Sequence, residues 1–460
     1  MTEAEMTQAD KSDEDLVAHA LDCARRAGAD AADALLIRGR SMESRVRGEV
    51  IDFVKQAQEQ VLGIRALRSR EGGMSSAVTS TCDLAPEAIE AMAADAVTLA
   101  KATAADPAAG LPDGGFATQL PELRLVDPDD RTVSIEARID DARRCESAAR
   151  GADARIVNSE GSQASSSFST VAYGNSAGFL GQYESAYHSL FSEPIASDAS
   201  GMQRDYWMTV GRHLSSLEAP EAVGRQAAER SLRRLAARRV PTCEAPVLFE
   251  PRPAASLLGQ LLSLVSGYAV YREASFLADR LGEVIASPGF TLVDDGQRPG
   301  GLGSKPFDGE GLPTRRNVIV DDGRLATWLL DSYSGRKLGF ASTGSASRGP
   351  GSTPGVGATN LWLEPGDVSL AEMIAATDRG LLVTELIGMG FNPVTGDYSR
   401  GAAGLWIEKG KIQYPVEEIT IAGNFGDMLK AVDMIGSELL WLGSVAAPPL
   451  RIASMTIAGE

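Results

Sequence analysis

A chain of 460 residues, 43% of them hydrophobic, is long enough for two or three domains with sizeable cores. Its formal net charge of −18 argues against a nucleic-acid partner, because affinity for phosphate rests largely on Lys and Arg. No apolar run approaches the roughly 20 residues that span a bilayer, so no membrane association is expected. The acidic, polar opening MTEAEMTQADKSDEDL is the opposite of a signal peptide, which makes the cytoplasm the expected compartment.

The first helix is expected over 13–27, capped by Ser12 or Asp13, with Leu16, Val17, Ala20, Leu21 and Ala24 inward and Gly28 as its stop. His19 lies beside that stripe and reads as a surface residue. Short strands follow at 34–37, 41–46, 50–55 and 63–68, punctuated by Gly39-Arg40 and Arg47-Gly48-Glu49, in the pattern of an antiparallel meander. A strand at 75–80, a helix from Pro86 to about Thr103, and a Pro/Gly-rich linker from Asp106 to Gly115 complete a first unit, residues 1–120.

A second unit, 121–240, is expected to hold a helix over 134–149, strands at 154–159, 165–173, 179–192 and 202–212, and a helix from Pro220 to Ala237. Arg233-Arg234 and Arg238-Arg239 come nearest to a basic block, but they sit where cations favour a helix dipole. His188 and His213, on separate strands, read as sheet residues rather than ligands. Cys23, Cys82, Cys145 and Cys243 lie far apart without a CxxC pair, which speaks against a disulfide framework or a Cys-rich zinc site. Cys23 and Cys145 fall in helical patterns as small buried hydrophobes.

The third unit, 241–460, opens with a strand at 245–249 and an apolar helix over 254–268, expected to be buried on nearly every side. A hairpin over 318–328 turns at Asp322-Gly323. The Gly/Ser/Pro-rich segment 342–359 has the length of a lid or mobile loop. A capped helix at 369–379, a second hairpin over 405–414, a strand at 419–424, a helix over 425–435 and a last strand at 453–458 follow. Helices beside antiparallel sheet, without βα repeats, give an α+β class: antiparallel and mixed sheets with flanking helices, an N-terminal α/β part and a β-rich C-terminal domain.

Within this unit Leu381 to Gly404 stands out. A buried strand passes through Gly388 and Gly390 into Thr395-Gly396-Asp397-Tyr398-Ser399-Arg400-Gly401, then into a new strand at Leu405. A polar loop between core strands can present side chains from a rigid frame. The plainer alternative is a bulged hairpin whose glycines only meet backbone requirements.

Several stretches together resemble the TldD/PmbA family, once called modulators of DNA gyrase, and its PmbA (or TldE) branch in particular. They are VNSEG at 157–161, GMQRDY at 201–206, FLADRLG at 276–282, KPFDGEG at 305–311, GLLVTEL at 380–386, the run 396–404, and 418–424. The resemblance implies a peptidase fold. In the TldD branch a helical HExxxH motif and a C-terminal cysteine hold zinc, the Glu serving as general base on metal-bound water. Aligned on the Leu-Leu pair of the 254–268 helix, the first His becomes Gly259, the Glu becomes Gln260 and the second His becomes Leu264. No His follows His213 and no Cys follows Cys243. The resemblance thus implies a non-catalytic subunit with no cofactor of its own. It would pair with a TldD-like partner that carries the zinc, and act on an unfolded or extended peptide in leader-peptide trimming or small-protein degradation. It leaves open a homodimer when the chain is alone. Asp397, Tyr398, Ser399 and Arg400, with Arg348 in the long loop, are the expected substrate-binding residues. Two other readings compete. One is a stand-alone hydrolase using Ser399 with a carboxylate, or His188 with Asp205. The other is a regulatory protein whose acidic surface binds gyrase or another client.

Overall fold

The structure is a computed structural model that describes residues 12–459. Residues 1–11, most of the acidic opening, lie outside the described residues. Among those described, no helix is long and apolar enough to cross a membrane.

Helix α1 (Asp13–Ala27) starts at a capping box: Ser12 Oγ accepts from Asp15 N, and the Asp15 carboxylate accepts from Ser12 N. Gly28, at φ 99°, ends it. The four short strands expected next are two long ones, β1 (Ala31–Arg47) and β2 (Val50–Arg70), joined at Gly48-Glu49. Gly39 does not interrupt β1, because Glu59 pairs with it on one side and Ser169 on the other. Then come β3 (Gly73–Thr81), α2 (Pro86–Ala102), α3 (Ile135–Arg150), β4 (Ile156–Asn175), β5 (Leu180–Asp198), β6 (Gly201–Arg204), β7 (Trp207–Gly211) and α4 (Pro220–Leu232). Helix α4 ends before the expected Ala237, and the chain turns at Ala236 with φ 61°.

These strands form one antiparallel sheet in the order β3-β2-β1-β4-β5-β6, with β7 also on β5. The β1–β4 pairing joins the stretches 1–120 and 121–240 in that sheet. Two pairs of helices cover the sheet, and each pair reaches across the β1–β4 boundary. Cys23 of α1 and Met92 of α2 pack with Leu36 and Ile64, whereas Cys145 of α3 and Val223 of α4 pack with Val46 and Leu190.

The rest of the chain runs β8 (Cys243–Phe249), α5 (Pro251–Val265), α6 (Gly267–Tyr271), β9 (Leu292–Asp295), β10 (Arg316–Asp321), β11 (Arg324–Leu325), α7 (Ser332–Leu338), β12 (Ala346–Ser347), β13 (Gly355–Val356), β14 (Leu361–Leu363) and α8 (Leu370–Ala375). It continues with β15 (Arg379–Ile387), β16 (Asp397–Glu408), β17 (Lys411–Asn424), α9 (Phe425–Lys430), β18 (Val432–Ile435), β19 (Leu440–Trp441), β20 (Val445–Ala447) and β21 (Leu450–Ala458). Strands β17-β16-β15-β8-β21 close into a ring, because β21 also bonds β17. A second sheet has the order β11-β10-β9-β14-β20-β19. Leu257, Leu261 and Leu264 of α5 share one core with Phe249, Leu381 and Trp406 of the ring and with Leu292 and Leu361 of the second sheet. The architecture is α+β, with mixed sheets, as the sequence leads one to expect. The turns at Asp322-Gly323 and Lys409-Gly410 all have positive φ, as tight hairpins demand.

The segment 342–359 is not a lid. Strands β12 and β13 pair within it, and the Arg348 side chain is fully buried against Asp33 of β1. Gly63 of β2 makes room for Pro350, whose carbonyl a Cβ at that position would strike. The 106–115 linker is tied down in the same way: Asp106 accepts from Lys337 Nζ at 2.9 Å and from the Tyr333 hydroxyl at 2.8 Å, both on α7.

Candidate functional site

Helix α5 is held at its start by buried charge. Glu250, at its N-cap, accepts from both guanidinium nitrogens of Arg233 (2.7 and 3.0 Å) and from Arg230 (3.1 Å). Asp205, only 1% exposed at its side chain, lies 3.2 Å from Arg230 and 3.3 Å from Arg252. Burial alone would raise the Asp205 carboxyl, but Arg230 and Arg252 hold it below its ordinary range. Five charges thus lock α4 and the β6–β7 connection to the first turn of α5. The arginines that resemble a basic block are spent on this kind of contact. Arg234 pairs with Glu385 at 2.5 Å, Arg238 stacks on Tyr414 at 3.4 Å, and Arg239 pairs with Glu418.

Helix α5 is not buried all round. Leu257, Leu258, Leu261 and Leu264 face the core, while Ser256, Gly259, Gln260 and Ser263 form a small-residue stripe toward the outside. A Cβ at Gly259 would meet nothing within 4 Å. Leu264 is completely buried. Zinc needs three or four converging nitrogen, sulfur or oxygen donors. Gly259 has no side chain, Leu264 offers only methyl groups to the core, and no His or Cys occurs later in the chain. The residues at α5 therefore do not fit a zinc ion.

The stretch expected to be a polar loop is mostly strand. Strand β16 begins at Asp397, so Asp397, Tyr398, Ser399 and Arg400 are paired residues, Tyr398 opposite Gly423 and Arg400 opposite Ile421. The 388–396 connection is bonded across its own neck: Ser399 N donates to Gly390 O at 2.7 Å, and Asn392 N to Asp397 O at 2.9 Å. Gly390 is required there, because the Ser399 carbonyl occupies the space a Cβ would take. A bulge lies between Val383 and Glu385. The plainer alternative, a bulged hairpin, describes the backbone.

Strand alternation then sorts the four candidates. Asp397 and Ser399 are exposed; Tyr398 is buried, and burial pushes its phenol up to about 12. Asp397 accepts from Thr395 Oγ1 at 2.7 Å and makes no pair with Arg400. Arg400 instead donates to Ser256 Oγ at 2.9 Å, on the outward stripe of α5. The structure thus brings β16 and the degenerate helix together. The Tyr398 hydroxyl lies against the Arg400 guanidinium, which favours its ionised form against the burial, and Gln260 Oε1 on α5 is buried. Beside them, Ile387, Met389 and Val394 are 52%, 102% and 56% exposed. Arg348 does not join this group, since its side chain is enclosed with Asp33. His188 and Asp205 do not meet: His188 bonds Ser166 at 2.8 Å, whereas Asp205 faces the arginines. The Ser256 stripe and the Glu250 clamp were missed in the sequence. Ser256, Gly259 and Ser263 at spacings of three and four were the available signal.

Three family profiles match the chain: PmbA/TldA metallopeptidase domain 1 over residues 32–100, the central domain over 128–235 and the C-terminal domain over 242–459. The chain is 40% identical over 415 residues to Metalloprotease PmbA of Escherichia coli O157:H7, covering 90% of this chain and 88% of that one. It is 35% identical to a Metalloprotease PmbA homolog of Haemophilus influenzae, covering 96% and 95%. A crystal structure from Bacteroides thetaiotaomicron, of a protein called a candidate modulator of DNA gyrase, superposes with a TM-score of 0.89 at 28% identity, covering 98% of this chain and all of the other. TldE of Thermococcus kodakarensis shares the fold, with a TM-score of 0.86 at 24% identity and coverage of 96% and 100%. By sequence along nearly its whole length and by fold, the chain belongs to the PmbA/TldD metallopeptidase family.

Proposed function

We propose that this chain is the non-catalytic subunit of a TldD/TldE-type zinc metallopeptidase complex that trims or degrades unfolded peptides. The observation that carries the reading is α5: its fold and surroundings are those of a metallopeptidase family, yet Gly259, Gln260 and the buried Leu264 offer no imidazole, thiolate or carboxylate to a zinc ion. Zinc and hydrolysis then reside in a TldD-like partner. This chain supplies an entry surface, where Arg400 faces the outward stripe of α5, Ser399 and Asp397 offer polar groups on the other face of β16, and Ile387, Met389 and Val394 contact apolar side chains of the peptide. The cytoplasm is the proposed compartment.

The stand-alone hydrolase is disfavoured because the Asp397 carboxylate near Ser399 accepts from Thr395, and His188 bonds Ser166 while Asp205 faces Arg230. The test is a cleavage assay on an unfolded peptide with this chain alone, a TldD-like subunit alone, and the two mixed. Cleavage only in the mixture, or much enhanced there, is the expected result. Full activity and stability of the partner alone, or cleavage by this chain alone, would overturn the reading.

A further inference from the structure

A separate cluster lies where the chain enters α3. Asp127, Asp130 and His213 bring their ligand atoms within 4.8 Å of one another. Asp130 stands in a short 3-10 turn, 129–132, and His213 lies two residues past the end of β7 at Gly211. Each is oriented by a backbone group. His213 Nε2 lies 2.8 Å from the Arg124 carbonyl; a carbonyl only accepts, so Nε2 carries the proton when the ring is neutral. The Nδ1 lone pair is then left 3.6 Å from Asp127 Oδ2. An imidazole whose other nitrogen donates to a carbonyl is the usual posture of a metal-ligating histidine. Leu214 N donates to Asp130 Oδ2 at 2.8 Å, fixing that carboxylate as well.

A second observation is independent of the first. His188, on β5, is completely buried. Its Nδ1 is 2.8 Å from Ser166 Oγ, while its Nε2 lies 3.5 Å from Asp130 Oδ2 and makes no hydrogen bond. A buried imidazole nitrogen that faces a carboxylate of the cluster without hydrogen-bonding it leaves room for an ion between the two. The neighbouring cation, Arg138, lies 3.4 Å from Asp141 and also acts on Asp130, so an ion would share Asp130 with it. A cleft of about 400 Å³ lined by Arg124, Asp127 and His213 gives access from solvent.

We propose that Asp127, Asp130 and His213, backed by His188, form a binding site for a divalent transition-metal ion of the zinc class. Imidazole with carboxylate donors suits zinc better than magnesium or calcium, which prefer an all-oxygen shell. The ion would tie the 122–131 entry segment to the end of β7. It is a structural site on the central sheet, formed by residues unrelated to the α5 positions.

The test is zinc binding by the full chain alone, stripped with chelator, measured by competition with a chromogenic zinc indicator and by metal analysis after desalting. One equivalent per chain is expected. His213→Ala should lose it, Asp127→Asn should bind at least about tenfold more weakly, and both should keep the wild-type circular dichroism spectrum. Added zinc should raise the melting temperature of the wild type and leave that of His213→Ala unchanged. Failure of the wild type to retain zinc, or equal retention by both variants, would overturn the site. No cleavage is read, so either outcome leaves the peptidase pairing to its own experiment.

Discussion

Replacing Asp33 with Ala should be among the costliest single changes in the molecule. Asp33 and Arg348 bury each other's side chains completely, and Asp33 also accepts from Arg65 Nε at 2.8 Å, with Arg65 itself 8% exposed at its side chain. The alanine leaves two guanidinium groups in the interior without their shared acceptor. Removing one partner of a buried pair costs about 3–5 kcal/mol. At roughly 2–4 °C per kcal/mol, that predicts a melting temperature lower by about 6–20 °C. Arg348→Met leaves Asp33 with Arg65 and should cost less, about 1–3 kcal/mol. In urea titrations the double variant should be less destabilised than the sum of the singles, by at least about 1 kcal/mol. Acid adds a second signature. Burial would raise the Asp33 carboxyl, but Arg348 and Arg65 together hold it below its ordinary value of 3.8. Its contribution is therefore present above that value and lost as the pH falls through the lower folded one, a loss that Asp33→Ala should not show. A single variant within about 1 kcal/mol of wild type, or strict additivity, would refute the claim that this pair is desolvated and coupled.

Leu264→His should lower stability by about 2–4 kcal/mol in urea unfolding, because it puts a polar ring at a fully buried core position; combined with Gly259→His and Gln260→Glu it should add no zinc equivalent. Arg400→Ala should reduce kcat/KM of the mixed complex by about 10–100-fold, the loss of one charged hydrogen bond, without a matching drop in melting temperature. Burial raises Asp294 and Glu310 to about 7. Their folded values exceed their unfolded ones, so they make stability fall as the pH rises between about 4 and 7; Asp294→Asn with Glu310→Gln should flatten that slope in calorimetry.

What could be read in the sequence was local. The start of α1 rests on Ser12 and Asp15, its end on Gly28, and two hairpins on Asp322-Gly323 and Lys409-Gly410, all set within a few residues. The missing zinc donors at Gly259 and Leu264 were legible for the same reason: they are a matter of residue type, not of geometry. What stayed hidden depended on distant partners. Nothing near Arg348 names Asp33, 315 positions away, as the carboxylate that turns an apparent lid into an anchor. The polar run Asp397–Arg400 lacks an obvious strand pattern and becomes one through β17 and the neck at Gly390. The core face of α5 was visible in its leucines, but its outer stripe had no meaning until Arg400 was seen to reach Ser256.

The closed ring has a consequence for the order of assembly. Strand β8 ends at Phe249, yet one of its two neighbours, β21, begins only at Leu450. During synthesis the N-terminal sheet, complete by Gly211, can form while the C-terminal half is still being made. At about 5–20 residues per second the nascent chain then carries an open β8 edge and the bare leucines of α5 for some tens of seconds. Loss of residues 450–458 would remove the strand that bonds both β8 and β17, so a nascent chain stalled before Leu450 should be held by chaperones or degraded rather than released as a shortened subunit.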